Sequence, residues 1–421
     1  MSPAELMSNV AALDSRADLD TARFPSDARL ALRLLDRMRQ GRLDLTFPDG
    51  QHAYYGDLRS GERADLRLAN WNLVREALKS GDIGFAEAYI AGDWDSPDLV
   101  PAIEFFVANR DAADEFIYGS FLGRLAYRIR HLLNRNTRAQ SRKNIHAHYD
   151  LGNDFYSLWL DRTMSYSSAL FEHTDRRAGP HEVASTDELE QGQYAKYARV
   201  LDELALPSGA HLLEIGCGWG GLAEVAARAG LTVTGLTLSA EQLAYGRDRL
   251  ARAGLHGDLQ LRDYRDEAGE YDGIASIEMF EAVGESFWPS YFATLKRCLK
   301  PGGRVCLQTI VIADRLFERY RAGTDFVQQY IFPGGMLPSP SVFRARAHAA
   351  GFDVLNEHRF GMDYASTLAT GRARFHARLD DVRALGFDDR FVRIWDFYLA
   401  YCEAAFAREN TDVVQYTLEV R

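Results

Sequence analysis

At 421 residues, 47% hydrophobic and 26% charged, the chain has the composition of a globular protein with room for two or three domains. Its formal net charge of −11 argues against a general affinity for nucleic acid or anionic lipid, and no apolar run approaches the ~18 residues of a membrane-spanning helix. The four cysteines, Cys217, Cys298, Cys306 and Cys402, lack paired metal-ligand spacing and read as reduced thiols of a cytoplasmic protein with no metal centre.

The opening M-S-P-A-E-L-M-S is neither basic nor apolar, which predicts no secretory signal. Residues 1–135 carry no nucleotide motif and predict a smaller, mainly helical N-terminal domain. Its helices are A-R-L-A-L-R-L-L-D-R-M, N-W-N-L-V-R-E-A-L and I-G-F-A-E-A-Y-I-A-G-D-W, with a hairpin turning at Asp49-Gly50 between the first two. From Phe116 to Tyr149 there is no Asp or Glu, while Arg124, Arg128, Arg130, Arg135, Arg138, Arg142 and Lys143 crowd among Leu122, Leu125, Tyr127 and Ile129. Basic side chains gain about 1 kcal/mol each at an anionic membrane, so this segment reads as membrane-engaging or as a solvated inter-domain helix.

The remainder, 136–421, reads as one catalytic domain. From about residue 200, H-L-L-E-I-G, T-V-T-G-L-T, L-Q-L-R-D-Y, Y-D-G-I-A-S-I and G-R-V-C-L-Q-T alternate with helical segments. That alternation predicts a doubly wound α/β fold with a Rossmann-like parallel sheet. F-D-V-L-N-E-H and D-V-V-Q-Y-T-L-E-V add an antiparallel edge pair, giving seven strands. Between the fifth and sixth strands an aromatic-rich insertion, residues 314–346, is placed to build a substrate pocket.

The first of these strands runs through Glu214 into turns at Gly216, Gly218 and Gly221, a spacing that also satisfies the dinucleotide pattern G-x-G-x-x-G. A dinucleotide site wants an acid at the next strand's tip, yet that strand ends at Thr237 and continues L-S-A-E-Q. Glu214 would repel a pyrophosphate and attract the ammonium of S-adenosylmethionine, so the turn reads as a site for that cofactor.

Three more segments fall where such a sheet meets its ligand. They are H-Y-D-L-G-N-D-F-Y with M-S-Y-S-S-A-L-F, then S-I-E-M-F-E-A-V-G, then F-G-M-D-Y. Together with I-G-F-A-E-A-Y-I-A-G-D-W-D and Q-Y-I-F-P-G-G-M-L-P-S they resemble the cyclopropane-fatty-acyl-phospholipid synthase family, which includes the mycolic acid cyclopropane synthases. The resemblance covers essentially the whole chain. It implies a class I S-adenosylmethionine-dependent methyltransferase fold and methylene transfer to a cis double bond of a phospholipid acyl chain. It also implies a homodimer, peripheral at the inner face of the cell membrane.

The resemblance further implies a bound bicarbonate as base, held by Glu281, the backbone of Ile310, and Tyr364. Two positions depart from the family pattern: Ser168 stands for its usual cysteine and Gln308 for its usual histidine. Both can still hydrogen-bond an anion, but Gln308 cannot titrate. For the cofactor the resemblance implies Tyr166 and Ser167 near the methionine carboxylate, and Gly216 and Gly218 at the turn. It places Thr237, Leu238 and Gln242 at the ribose, and Asp263 and Tyr264 near the adenine. His148 begins a family motif without a catalytic role. Tyr320, Phe326, Tyr330, Phe332, Phe360 and Tyr364 are candidate pocket aromatics, about half of them expected to be core. A methyl- or methylene-branched product, and a non-catalytic lipid-binding protein, stand as alternatives.

Overall fold

The computed structural model describes residues 19, 21–110, 151–171 and 179–421. The basic segment and His148 lie outside them. The chain divides into two units, Met1–Arg130 with Gly323–Phe326 and Phe387–Arg408, and His131–Ala322 with Val327–Gly386 and Glu409–Arg421. Residues 136–421 are therefore not all in one unit. The helix Asp389–Ala407 explains this, because it buries Trp395, Phe397, Tyr398 and Leu399. Within the first unit, Arg393 lies over the Tyr89 ring at 3.8 Å and Tyr89 donates to Asp396.

The first unit carries a four-stranded sheet besides its helices. Strands β1 (Arg42–Thr46) and β2 (His52–Gly56) form the hairpin, with Gly50 at φ 86° in the turn that Asp49-Gly50 predicts. Strand β3 (Arg63–Leu68) lies parallel to β1, and β4 (Trp94–Asp95) completes the order β2-β1-β3-β4. Alternation in β3 buries Ala64, Leu66 and Leu68, a period-two signal short enough to be overlooked.

The second unit holds the expected seven-stranded sheet. Its strands are β5 (His211–Ile215), β6 (Thr232–Thr237), β7 (Asp258–Leu261), β8 (Tyr271–Ile277), β9 (Leu299–Ile312), β10 (Phe352–Arg359) and β11 (Thr411–Val420). They lie in the order β10-β11-β9-β8-β5-β6-β7, with β9 through β7 parallel and β11 alone reversed, antiparallel to both β9 and β10. The chain leaves β5 towards β6 on one side and returns to β8 on the other. The crevice outside the carboxyl ends of β5 and β8 is thus the topological switch point, where such sheets bind ligands. Apolar side chains close both faces: Leu213, Ile274, Leu307 and Tyr416 belong to one core cluster, Leu212, Val233, Leu259 and Cys306 to the other. Among the described residues no helix is long and apolar enough to cross a membrane.

Candidate active site

The cofactor side of the crevice is built by the turn after β5. Gly216 at φ 86° and Gly218 at φ 50° adopt left-handed backbone that glycine tolerates at least cost. A methyl group added at Gly218 would meet nothing within 4 Å, so a ligand can approach the backbone there. Glu214, at the end of β5, is 4% exposed, and its Oε2 has no hydrogen-bond partner among the described residues. Burial pushes its carboxyl up to about 8, against the pull of Arg249. A buried acid with an unpartnered oxygen fits a cationic ligand and not a phosphate.

The other expected cofactor residues are placed unevenly. Thr237 and Gln242 are buried and joined, Thr237 Oγ1 to Gln242 Oε1 at 3.1 Å, while Ser239 caps the helix Ala240–Arg252 and leaves Leu238 half-exposed between them. Tyr166 is half-buried beside Trp159, Tyr156 and Phe332, at 5.3, 5.6 and 6.3 Å between ring centroids. Tyr264 sits edge-on to Tyr291 at 5.2 Å. The Asp263 carboxylate is held by the Arg265 guanidinium at 2.8 and 2.6 Å, so its first role is to fix the turn that carries Tyr264. Ser167 accepts through Oγ from Lys196 Nζ at 2.6 Å.

Lys196 is a functional candidate that sequence reasoning missed. It lies on the helix Thr186–Leu204, fully buried, and also donates to Gln193 Oε1. Burial drives its ammonium down to about 8, and Glu278 opposes that drop.

Glu278 is the second omission. It follows β8 directly, at φ 48°, a left-handed value uncommon for a side chain of this size. Its Oε1 accepts from the Ser168 amide at 2.9 Å and from Gln308 Nε2 at 2.7 Å, and its Oε2 from the Tyr364 hydroxyl at 2.6 Å. Strand register produces this convergence. Ile277 faces Gln308 across β8 and β9, Gln308 faces Gln415 across β9 and β11, and the Glu278 amide continues the ladder to Gln308 O at 2.8 Å. Gln415 Nε2 donates to Gln308 Oε1 at 3.0 Å, which leaves the Gln308 amide nitrogen to face Glu278.

Tyr364 arrives from the first turn of the helix Gly361–Ala377. The same helix fixes the 168–171 segment, because Ala169 N donates to Thr367 Oγ1 and Phe171 N to Asp363 Oδ2. Desolvation raises the Glu278 carboxyl, and Tyr364 and Lys196 pull against that rise. Glu278 and Glu281 nonetheless keep part of their surface accessible, as residues lining a cleft do.

Glu281 lies one short turn further on. Its Oε1 accepts from the Ile310 amide and from Thr309 Oγ1, its Oε2 is unpartnered among the described residues, and its carbonyl accepts from Met336 N in the insertion. Burial, then the neighbouring Glu278 charge, push its carboxyl up to about 8. Burial raises both carboxyls, and three hydrogen-bond donors work against that rise at Glu278.

The donors expected around a bicarbonate are thus brought together, but around this chain's own side chain. Ser168 and Gln308 both serve Glu278 Oε1, and the Ser168 hydroxyl turns away to Ala169 O at 2.8 Å. Ile310 serves Glu281. These residues do not fit a further bound anion, because a second negative charge would meet a carboxylate already holding the donors. Of the candidate pocket aromatics, Tyr364 reaches Glu278 and Phe332 faces Tyr166. Tyr320 ties the insertion through Gln328, Phe360 packs on His358, and Tyr330 is half-buried. Phe326 belongs to the first unit, 4.9 Å from Phe397.

Residues 136–416 match the model of the mycolic acid cyclopropane synthetase family. The chain is 39% identical over 351 residues to tuberculostearic acid methyltransferase UfaA1 of Mycobacterium tuberculosis, covering 82% of this chain and 81% of that protein. It is 33% identical over 354 residues to the cyclopropane-fatty-acyl-phospholipid synthase of Escherichia coli, covering 84% and 87%. The solved structure of mycolic acid cyclopropane synthase CmaA1 with SAH and CTAB superposes with a TM-score of 0.59 at 30% identity, over 66% of this chain and 97% of that one.

Proposed function

Because the chain belongs to the mycolic acid cyclopropane synthetase family, we propose that it methylates the cis double bond of unsaturated phospholipid acyl chains. S-adenosylmethionine, when bound, supplies an electrophilic methyl group that an alkene can attack. What carries the reading is two acidic sites at the carboxyl ends of the neighbouring strands β5 and β8: Glu214 by the glycine turn, with an oxygen unpartnered among the described residues, and Glu278 with Tyr364 and Gln308.

An alkene is a poor nucleophile, and its attack leaves a carbocation on the acyl chain. The protein must hold the reacting carbons in line, surround the cation with negative charge and aromatic faces, and keep water out. Glu214 orients the cofactor's cationic end, and Tyr166 and Phe332 present ring faces to the crevice. Glu281, held up to about 8 without ligand, releases its proton to solvent when a cationic ligand binds and then stands charged beside the developing carbocation.

Ring closure to a cyclopropane is the first reading, in line with the activity named for the E. coli relative. A methyl- or methylene-branched product is the second. It is favoured by the fixed carboxylate at Glu278 and by the activity named for the M. tuberculosis relative. A hydride shift on the cation, completed before the proton leaves, gives the methylene-branched chain, and a saturated methyl branch needs a further two-electron reduction by a separate reductant.

Vesicles of mono-unsaturated phospholipid with methyl-labelled S-adenosylmethionine separate the readings. A gain of one CH2 with loss of the alkene signal means a ring, and a retained or terminal alkene means a branch. No label in the lipid sinks catalysis and leaves a binding protein. The reading includes a homodimer acting at the inner face of the cell membrane through its N-terminal domain. Changing Arg128, Arg135 and Arg142 together should weaken vesicle binding while cofactor affinity stays unchanged.

A further inference from the structure

We infer that Glu278 replaces bicarbonate in this protein, as a base built into the chain; the proton it removes rests on the acyl-methylation reading. Three donors expected around an exchangeable anion converge instead on one tethered carboxylate: the Ser168 amide, Gln308 Nε2 and the Tyr364 hydroxyl, at 2.9, 2.7 and 2.6 Å. The two departures from the family pattern, Ser168 and Gln308, both touch this carboxylate.

The departure at Gln308 has a purpose once Glu278 is present, whereas Ser168 serves it through a backbone amide that any residue there would offer. A titratable ring at position 308 could bond a carboxylate only in a suitable tautomer, whereas an amide NH2 always donates. Gln415 turns that amide by donating to its oxygen at 3.0 Å. Lys196, reaching Ser167 Oγ at 2.6 Å on the residue before Ser168, supplies the compensating positive charge in a dry site. The backbone also marks the position. At φ 48° glycine would be the unstrained residue, and a glutamate held there carries backbone strain of the kind found at functional sites.

Oε1 accepts two hydrogen bonds and Oε2 one, so Oε2 keeps the free lone pair and is the atom that takes the proton. The balance is complete. The alkene π pair forms a carbon–carbon bond to the methyl, the sulfur–carbon bond breaks to the thioether, and a cation is left on the adjacent carbon. The proton then leaves the transferred carbon for Glu278 Oε2. Its C–H pair closes the ring, or, after a hydride shift, forms the double bond of a methylene branch. Glu278 afterwards returns the proton to water. No carbonate species takes part.

The test pairs the wild type with Glu278→Gly, a change the left-handed backbone accepts without strain. In carbonate-free buffer, with vesicles and labelled S-adenosylmethionine, wild-type turnover should stay within about twofold of that with added bicarbonate. Glu278→Gly should lose on the order of 10²–10⁴-fold and regain part of it with added bicarbonate or acetate. A binding readout needs no turnover: 13C-bicarbonate NMR should show no bound species with the wild type and a bound species with Glu278→Gly. A wild type that binds bicarbonate, or slows when it is removed, overturns the assignment, as does a Glu278→Gly variant of normal speed. If no lipid is labelled yet bicarbonate binds only to Glu278→Gly, the replacement stands and the acyl-methylation reading falls.

Discussion

Two acids flank the crevice of the second unit and are finished in opposite ways. Glu214 lies at the end of β5 with a buried oxygen that meets no partner among the described residues, beside a glycine turn with open space over Gly218. Glu278 follows β8 with both oxygens engaged by Ser168, Gln308 and Tyr364. The first site is incomplete until a cation binds, and the second is complete without any ligand. Both acids are raised by burial, but the donors around Glu278 work against that rise, whereas Glu214 has chiefly the pull of Arg249 and a single backbone donor. A protein can thus prepare one carboxylate to recognise charge and another to move a proton, by the count of donors alone.

The sharpest way to break this contrast lies between the two sites, at Glu281. It shares the Glu278 side but has an unpartnered Oε2, as Glu214 does. Glu281→Gln keeps the bonds from Ile310 and Thr309 but cannot stand charged beside the positive charge that forms on the acyl chain. Turnover should fall by on the order of 10²-fold, with cofactor affinity within about threefold of wild type, as read by steady-state kinetics and calorimetry. An unchanged rate would leave Glu281 a structural acid.

The cofactor side should respond in the other parameter. Glu214→Gln removes the acid from a buried cation site and should weaken S-adenosylmethionine by roughly 10- to 100-fold, with kcat at saturation little changed. The carboxyl stands near 8 without ligand, and a bound cation pulls it down, so binding near pH 7 releases a proton. Affinity should therefore rise between pH 6 and 8. Calorimetry in two buffers of different ionisation enthalpy should show proton release for the wild type and little for Glu214→Gln. Equal proton release in the two proteins would remove Glu214 from the cation site.

The cofactor side was also the more legible one. Glycines at 216 and 218, an acid before them and no acid after Thr237 are local facts, readable without knowing what lies across the sheet. The base side depends on register. Nothing in G-R-V-C-L-Q-T says that Gln308 will face Gln415 from a strand more than a hundred residues later, or that Ser168 will donate by its amide and not its hydroxyl. Glu278 stands in S-I-E-M-F-E-A-V-G with no glycine turn after it of the kind that marks Glu214, so nothing local separates it from Glu281. Lys196 was hidden differently, as one more cation on a long helix that caps well and alternates ordinarily. The helix Asp389–Ala407 reads as any amphipathic helix, and only long-range packing assigns it to the first unit.

Gln415 gives a smaller, cleaner probe of the same dependence. Gln415→Leu removes the donor that orients Gln308, and the freed amide can turn its oxygen towards Glu278 part of the time. Turnover should drop by about three- to fivefold. In a Gln308→Leu background the same change should add almost nothing, because coupled residues lose their effect when the partner is gone. Additive losses would show that Gln415 acts by another route.

The smallest effect concerns stability, and its sign follows from the raised acids. Glu214 and Glu281 titrate near 8 in the folded protein and near 4.5 when unfolded, so the folded state binds more protons between those values. Their contribution is fully present below about 4.5 and is lost as pH rises through 8. Without ligand, the melting temperature should therefore fall between pH 6 and 8.5, by a few degrees for a unit of this size. Added S-adenosylmethionine should flatten the fall by supplying the missing cation at Glu214, and Glu214→Gln should flatten it without ligand. Glu278→Gln should alter the slope less, since three donors and Lys196 work against the rise that burial causes. If Glu278→Gln removed most of the slope and Glu214→Gln none, the two acids would have exchanged roles, and the acid beside the glycine turn would be the one the fold had already satisfied.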